Sequence, residues 1–360
     1  MIQFCIVGRP GTSVKPTSYT FRHGLHQIST VSLFVILTRV TRPFLIDTDT
    51  ASDDAVAIIM ALRNPEIRVV AITTVAGNVD VQQSTRNALY TAELCGSDVP
   101  VFSGADKPLL HEYQNATWFH GCDGLGEHRY PAPSNSASPM HAADAIIQAA
   151  EAHPGLVIVT LAPLTNVALA VAKKPSIVNH VSRCVIMGGA PCCEGNVTPA
   201  AEYNIWVDPD AARIVFRSGL PIEMIGWHLS RGAAVLNEAD IAEIQGFKTK
   251  LAHFAIECNS HARRAYKVQT GEDGISLPDP VAMCLALDPS VGTQWSSHYV
   301  DVETKSELTR GMTVVDRLNV AEDERNRVVW DAVIRKGKKA NVCWTLDNKR
   351  WKEALFAALC

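Results

Sequence analysis

From Pro43 onward the chain alternates short β-branched runs with amphipathic helical stretches, and that alternation leaves few folds open. FLID is followed by DDAVAIIMALRN, VVAITTVAG by VQQSTRNALYTAELCG, VPVFSG by HAADAIIQAAEAHPG, and LVIVTLAP by LTNVALAVAKKP. Strands separated by crossover helices pair in parallel, because a tight hairpin cannot connect parallel strands. The pattern continues through SRCVIMGGA, DPDAARIVFRSG and PIEMIG, giving six strand candidates before the chain becomes more helical around residues 238–287. No linker rich in Pro, Gly or Ser and no internal repeat interrupts it. The expectation is one α/β domain over residues 42–360 with a mostly parallel, doubly wound, Rossmann-like sheet. A poorly patterned extension, residues 1–41, precedes it. Ligands of such sheets bind beyond the carboxyl ends of the strands, so the active site is expected there.

Composition narrows the partners. Hydrophobic residues make up 47% of the 360, enough for a sizeable core. A formal charge of −4 provides no basic field for phosphates, which argues against nucleic acid. The ten cysteines are scattered without a C-x-x-C pair, and Cys192 and Cys193 are adjacent. This suits neither a disulfide framework nor a zinc site, and points to the reducing cytoplasm. The apolar run Val31–Leu37 falls far short of the ~20 residues a membrane helix needs. No small-residue cleavage pattern follows it, so it is not read as a signal peptide, nor are the N-x-T triplets at Asn115 and Asn196 read as glycosylated.

The most unusual stretch is FLIDTDTASDDAVAII, residues 44–59, with Asp47, Asp49, Asp53 and Asp54 in eight positions. Ser52 is a plausible N-cap for a helix starting at Asp53, and the helix dipole accounts for an acid in the first turn. It does not account for Asp47 and Asp49. A compact set of carboxylates at a strand end suits a hard cation such as calcium or magnesium, whose charge would offset their repulsion. Asp279, in ISLPDPVAM, precedes another apolar helix. Asn78 follows a strand, and the glycine before it allows a close backbone approach by a ligand. His120 stands among three glycines in HGCDGLG, and Asn196, Glu202 and Asn204 follow a strand ending at Met187. Amides and carboxylates gathered at one sheet edge suit a ligand covered with hydroxyls.

These residues also carry a resemblance to the nucleoside hydrolases of the inosine–uridine preferring type. Asp47-Thr48-Asp49 with Asp53-Asp54-Ala55 resembles the family's D-T-D-x-x-x-D-D-A signature, with Thr50-Ala51 where Pro-Gly is common. Later blocks are similar in order: AGN at 76–78, HGCDGLG at 120–126, APLTNVALA at 162–170, MGGA at 187–190, GNVTPAAEYNIWVDPDAA at 195–212 and LTRGMTVVD at 308–316. The resemblance implies hydrolysis of ribonucleosides to ribose and free base, and self-association as a dimer or tetramer. It implies one calcium ion held by Asp49, Asp54, Asp279 and the Leu161 carbonyl, with Asp49 activating the attacking water. Asp53 and Asn204 would hold the ribose 2′- and 3′-hydroxyls and Asn196 and Glu202 the 5′-hydroxyl end. Asn78 would lie beside the ribose, and Asp47 would support the set.

Two departures concern the leaving base. The His that stands before the C-terminal metal Asp in the best-known branch is here Pro278, which has no proton to give. The segment MIGWHLSRG also differs from the family's T-H-K pattern and introduces Trp227, His228 and Arg231. His228 or Arg231 is the expected proton donor, with Trp227 and His120 contacting substrate. Two other readings compete. A magnesium-dependent phosphatase of the haloacid-dehalogenase type shares a D-x-D motif but leaves Asp53-Asp54 and the later blocks unexplained. A non-catalytic ribose- or calcium-binding homologue would require loss of a water-activating residue, yet Asp49 is present.

Overall fold

The computed structural model describes residues 41–360, which form one compact unit. The expected extension over residues 1–41 lies, Thr41 apart, outside the described residues. All six expected strands form: β1 (Arg42–Thr48), β2 (Ile67–Thr74), β3 (Val101–Ser103), β4 (Leu156–Thr160), β5 (Val181–Met187) and β6 (Ile222–Ile225). Four that the periodicity did not mark follow, β7 (Gly292–His298), β8 (Val300–Val302), β9 (Thr313–Val315) and β10 (Ala340–Leu346). Helices α1 (Ser52–Arg63), α2 (Val81–Leu94), α3 (Thr117–His120), α4 (Ala142–Ala152), α5 (Thr165–Lys173), α6 (Tyr203–Val207) and α7 (Pro209–Phe216) alternate with the first strands. The helical stretch expected around residues 238–287 resolves into α8 (Glu238–Gly246), α9 (Lys250–Cys258), α10 (Ser260–Thr270) and α11 (Pro278–Leu287). The chain ends with α12 (Arg327–Lys336) and α13 (Asn348–Leu359).

The eight-stranded sheet runs β3-β2-β1-β4-β5-β6-β10-β7, parallel throughout except for β7, which lies antiparallel to β10. β8 and β9 form a separate antiparallel pair. Because strand side chains alternate between faces, Phe44 and Ile46 join the core beneath α1, α9, α11 and α13, whereas Leu45 joins the core beneath α4, α5 and α7. All three are fully buried, as a central parallel strand covered on both faces requires. Burying each contributes about 1.5–3 kcal/mol. Asp47 shares the parity of Leu45, so its carboxylate points to the α5 side, where Asn166 meets it.

Strand order reverses at β1: the chain first adds β2 and β3 on one side, then returns to place β4 on the other. The loops leaving β1 and β4 therefore diverge and open a crevice at their carboxyl ends, the position where open α/β sheets bind ligands. Asp49 leaves β1 there, and Leu161 leaves β4. The helix that follows starts one residue earlier than expected. Ala51, not Ser52, occupies the cap, and Asp54 reaches back to accept the Ala51 N–H at 2.9 Å. This frees the Ser52 hydroxyl, which bonds to His120 Nδ1 at 2.9 Å.

Candidate active site

The acidic loop is held by its own side chains. Thr48 Oγ1 accepts the Thr50 N–H at 3.0 Å and donates to Asp54 Oδ1 at 2.5 Å, so both Asp54 oxygens are engaged within the turn. Asp49 accepts the Asn78 backbone N–H at 2.5 Å and its side-chain amide at 3.3 Å. Asp47 accepts from Thr73 Oγ1 at 2.6 Å and Asn166 Nδ2 at 2.8 Å. Asp53 is different: it is buried, but its Oδ1 has no hydrogen-bond partner. Pro278 opens α11, where its missing N–H costs nothing, and places Asp279 in the first helical turn. Carboxylate oxygens of Asp53, Asp54 and Asp279 then lie within 4.8 Å of one another. Asp54 also reaches Asp49 and is the hub of the group.

Burial is the main cause that raises every one of these acids. Asp47 rises to about 7 and Asp54 to about 6, each restrained by its hydrogen bonds. Burial and then the charge on Asp54 lift Asp53 to about 8 and hold Asp49 well above the carboxylate range. Asp279 is raised well above it by burial and then by Asp53. The basic side chain nearest the group is His120, 3.8 Å from Asp53 Oδ1, and burial lowers it to about 3, which leaves it neutral. Crowded carboxylates of this kind repel unless a cation joins them. An all-oxygen donor set with an unpartnered buried oxygen fits a hard divalent ion.

Nine of the expected residues line one cavity beside this cluster: Asp53, Asn78, His120, Leu161, Asn196, Glu202, Asn204, Trp227 and Asp279. Asn204 donates its amide to the Leu161 carbonyl at 3.1 Å and the Met187 carbonyl at 3.3 Å, tying the ends of β4 and β5 together. Glu202 is already committed as the cap of α6, accepting N–H bonds from Gly189 at 2.7 Å and Asn204 at 2.8 Å. Asn196 Oδ1 accepts the Tyr203 N–H at 2.9 Å. Asp49 and Asp54 sit behind this surface, joined to it through Asn78 and Asp279.

His228 and Arg231 are not among the cavity-lining side chains. The 3₁₀ turn Trp227–Ser230 sends Trp227 into the cavity and His228 away from it, toward Trp344 on β10 with ring centroids 6.5 Å apart. Arg231 stacks on Trp227, 4.7 Å from its ring centroid, and pairs with Glu194. The cavity also includes residues that the sequence did not single out: Tyr203, Tyr266, Asn259, Ser230 and Ser276. Beneath it, Asn166 bonds Asp47, the Thr74 carbonyl at 2.9 Å and the Ala105 N–H at 3.0 Å. A buried amide inside the apolar helix TNVALAVAK was the available signal.

Comparison with known proteins agrees with this geometry. Residues 44–353 match the family model of the inosine-uridine preferring nucleoside hydrolases. The chain is 37% identical over 301 residues to a pyrimidine-specific ribonucleoside hydrolase RihA of a Shewanella species, spanning 83% of this chain and 94% of that one. It is 38% identical over 283 residues to the inosine-uridine preferring nucleoside hydrolase of Crithidia fasciculata, spanning 77% and 89%. Among solved structures, the plant nucleoside hydrolase PpNRh1 superposes with a TM-score of 0.81 at 32% identity, covering 88% of this chain and 98% of that one. With a signature that runs nearly from its first strand to its last helix, the chain belongs to the inosine-uridine preferring nucleoside hydrolase family and is a hydrolase of ribonucleoside N-glycosyl bonds.

Proposed function

We propose that the chain hydrolyses ribonucleosides to ribose and free base in a calcium-dependent reaction, with Asp49 as the base that activates water. The observation that carries this reading is the convergence of Asp49, Asp53, Asp54 and Asp279 at one cavity, which Asp53 and Asp279 line. Asp49, Asp54, Asp279 and the Leu161 carbonyl would hold the ion, and Asp53 closes the group on the cavity side. An ion held there would supply the positive charge that makes a nearby water acidic enough to lose a proton at neutral pH. Asp49, oriented by both Asn78 N–H groups, accepts that proton. Asp53 and Asn204 hold the ribose diol, and Asn196 and Glu202 the 5′-hydroxyl end, with Asn78 beside the ring and His120 completing the wall. The surrounding carboxylates favour the positive charge that develops on the sugar as the glycosidic bond breaks.

The test is ribose release from a panel of purine and pyrimidine nucleosides in phosphate-free buffer. Release that requires added phosphate would instead identify a phosphorylase, and no release from any nucleoside would favour a binding homologue. The same reading places the protein in the cytoplasm, in nucleoside salvage, as a dimer or tetramer, which sedimentation measures directly. Among the described residues, no helix is long and apolar enough to cross a membrane.

A further inference from the structure

We propose that Arg231 is a positioning residue that acts through Trp227, fixing and polarising the cavity wall against which the leaving nucleobase sits. The activity readout below rests on the nucleoside reading above. Trp227 is buried and lines the cavity. Its backbone N–H donates to the Gly189 carbonyl at 3.1 Å, and its indole N–H donates to the Glu194 carbonyl at 2.7 Å. The Arg231 guanidinium lies over the ring, and its charge is met by the Glu194 carboxylate. Glu194 thus holds the indole edge with its backbone and the cation with its side chain, so ring, cation and anion form one clamp. Ser276 donates its hydroxyl to the Ser230 carbonyl at 3.0 Å, fastening the same turn to the segment that leads into Pro278 and Asp279.

A cation over an aromatic ring is held by the ring's π electrons and draws them toward itself. The part of the indole facing the cavity is then poorer in electrons. Such a wall favours a base that gains negative charge as its glycosidic bond breaks over the same base in the intact nucleoside. This helps departure without a proton donor, which suits a site where Pro278 offers none. It also explains why a guanidinium, permanently protonated, stands here: its charge is what matters, not its proton.

The experiment measures kcat and KM for a good nucleoside substrate and for p-nitrophenyl riboside, whose leaving group departs as a stable anion. It compares wild type, Arg231→Lys, Arg231→Gln, Trp227→Leu and the Gln/Leu double variant. Arg231→Gln is expected to lower kcat on the nucleoside roughly two- to thirtyfold, the range a cation–π contact spans from exposed to desolvated. The loss on p-nitrophenyl riboside should be smaller, because its phenolate spreads the developing charge onto the nitro group and needs less help from the wall, and Arg231→Lys should restore most of the loss on the nucleoside. In the Trp227→Leu background the Arg231→Gln loss should vanish, because the two residues act as one unit. A loss that persists in that background, or that falls equally on both substrates, overturns the proposal. A second readout does not depend on turnover: the indole ¹⁵N–H resonance of Trp227, identified by its absence in Trp227→Phe, should move in Arg231→Gln and stay in Arg231→Lys. An unmoved resonance in Arg231→Gln also overturns it. Wild type that releases no ribose defeats the nucleoside reading alone, and the resonance still decides the clamp.

Discussion

Gly77 lies so close to Asp49 that a Cβ at residue 77 would stand 1.9 Å from Asp49 Oδ2. The glycine of the AGN block lets a carboxylate approach the backbone closely. With no side chain at 77, Asp49 can take the Asn78 N–H at 2.5 Å and hold one orientation. Gly77→Ala should therefore displace the proposed base by chain geometry alone. Activity is expected to fall by ~10²–10⁴-fold, the contribution of a positioned general base, approaching the loss in Asp49→Ala. Ribose release near the wild-type rate in Gly77→Ala would mean that Asp49 is not needed in this position.

Asn166 is the second structural hinge of the acidic loop. Its three hydrogen bonds reach Asp47, the carbonyl of Thr74 and the N–H of Ala105, all from a fully buried side chain. Asn166→Ala leaves buried polar groups unpartnered, at about 1–3 kcal/mol each, so unfolding in urea should show a loss of about 2–5 kcal/mol. Asn166→Asp should lose more, since it sets a carboxylate against Asp47 and against a carbonyl oxygen. A stability change below about 1 kcal/mol for both variants would show that water replaces these bonds at no cost.

Much of this architecture is legible in the chain because it follows from local rules. The first six strands and the helices between them carry their period in the sequence. β7 and β10 carry no such period, because GTQWSSH is a polar, partly exposed edge and ANVCWTL is followed at once by a helix, without the repeat that frames the earlier units. The acidic cluster was legible for a different reason: four aspartates after an apolar strand contradict propensity, and contradictions mark sites. The direction in which a side chain points was not legible. Trp227, His228 and Arg231 are near neighbours in sequence, and only the 3₁₀ turn decides that the first enters the cavity while the other two do not. Likewise Tyr266 and Ser276 reach the cavity through the packing of α10 and the approach to α11, which no short motif encodes.

Burial lowers the His228 pKa below the ordinary 6.5, and a hydrogen bond with the Trp344 backbone offsets only part of that shift. A histidine that stays neutral at pH 7 and faces Trp344 rather than the cavity is a poor proton donor to a leaving base. The linkage has a definite sign. The unfolded chain binds this proton more tightly than the folded one, so the group withdraws stability as pH falls through 6.5. His228→Phe removes the proton-binding site and should flatten that loss. Relative to wild type, the variant should gain stability between pH 7.5 and pH 5.5 in urea titrations, while kcat on nucleosides changes little. Parallel stability curves would show that the folded chain binds this proton as tightly as the unfolded one, and a kcat loss approaching 10²-fold would return His228 to the reaction.

Asp49, Asp53, Asp54 and Asp279 are buried together, and among the described residues no Lys or Arg lies within 4 Å of their carboxylates. Folding the chain without a cation must therefore crowd like charges or bind protons in their place, and either costs stability. Protein stripped by a chelator should melt at a lower temperature and release no ribose, and added calcium should restore both. A ligand that binds only the folded state stabilises it by about 2.7 kcal/mol at one hundred times its Kd, so the melting temperature should climb with calcium concentration rather than step once. Magnesium should shift it less, because it demands near-octahedral geometry and gives up its water reluctantly, whereas calcium tolerates an irregular set of carboxylates and a carbonyl. Asp279→Asn should weaken the calcium-dependent rise in melting temperature and partly relieve the instability of the stripped protein, since it removes one of the repelling charges. If exhaustive chelation changes neither the melting curve nor the rate of ribose release, the acidic loop holds no ion and Asp49 must work without one.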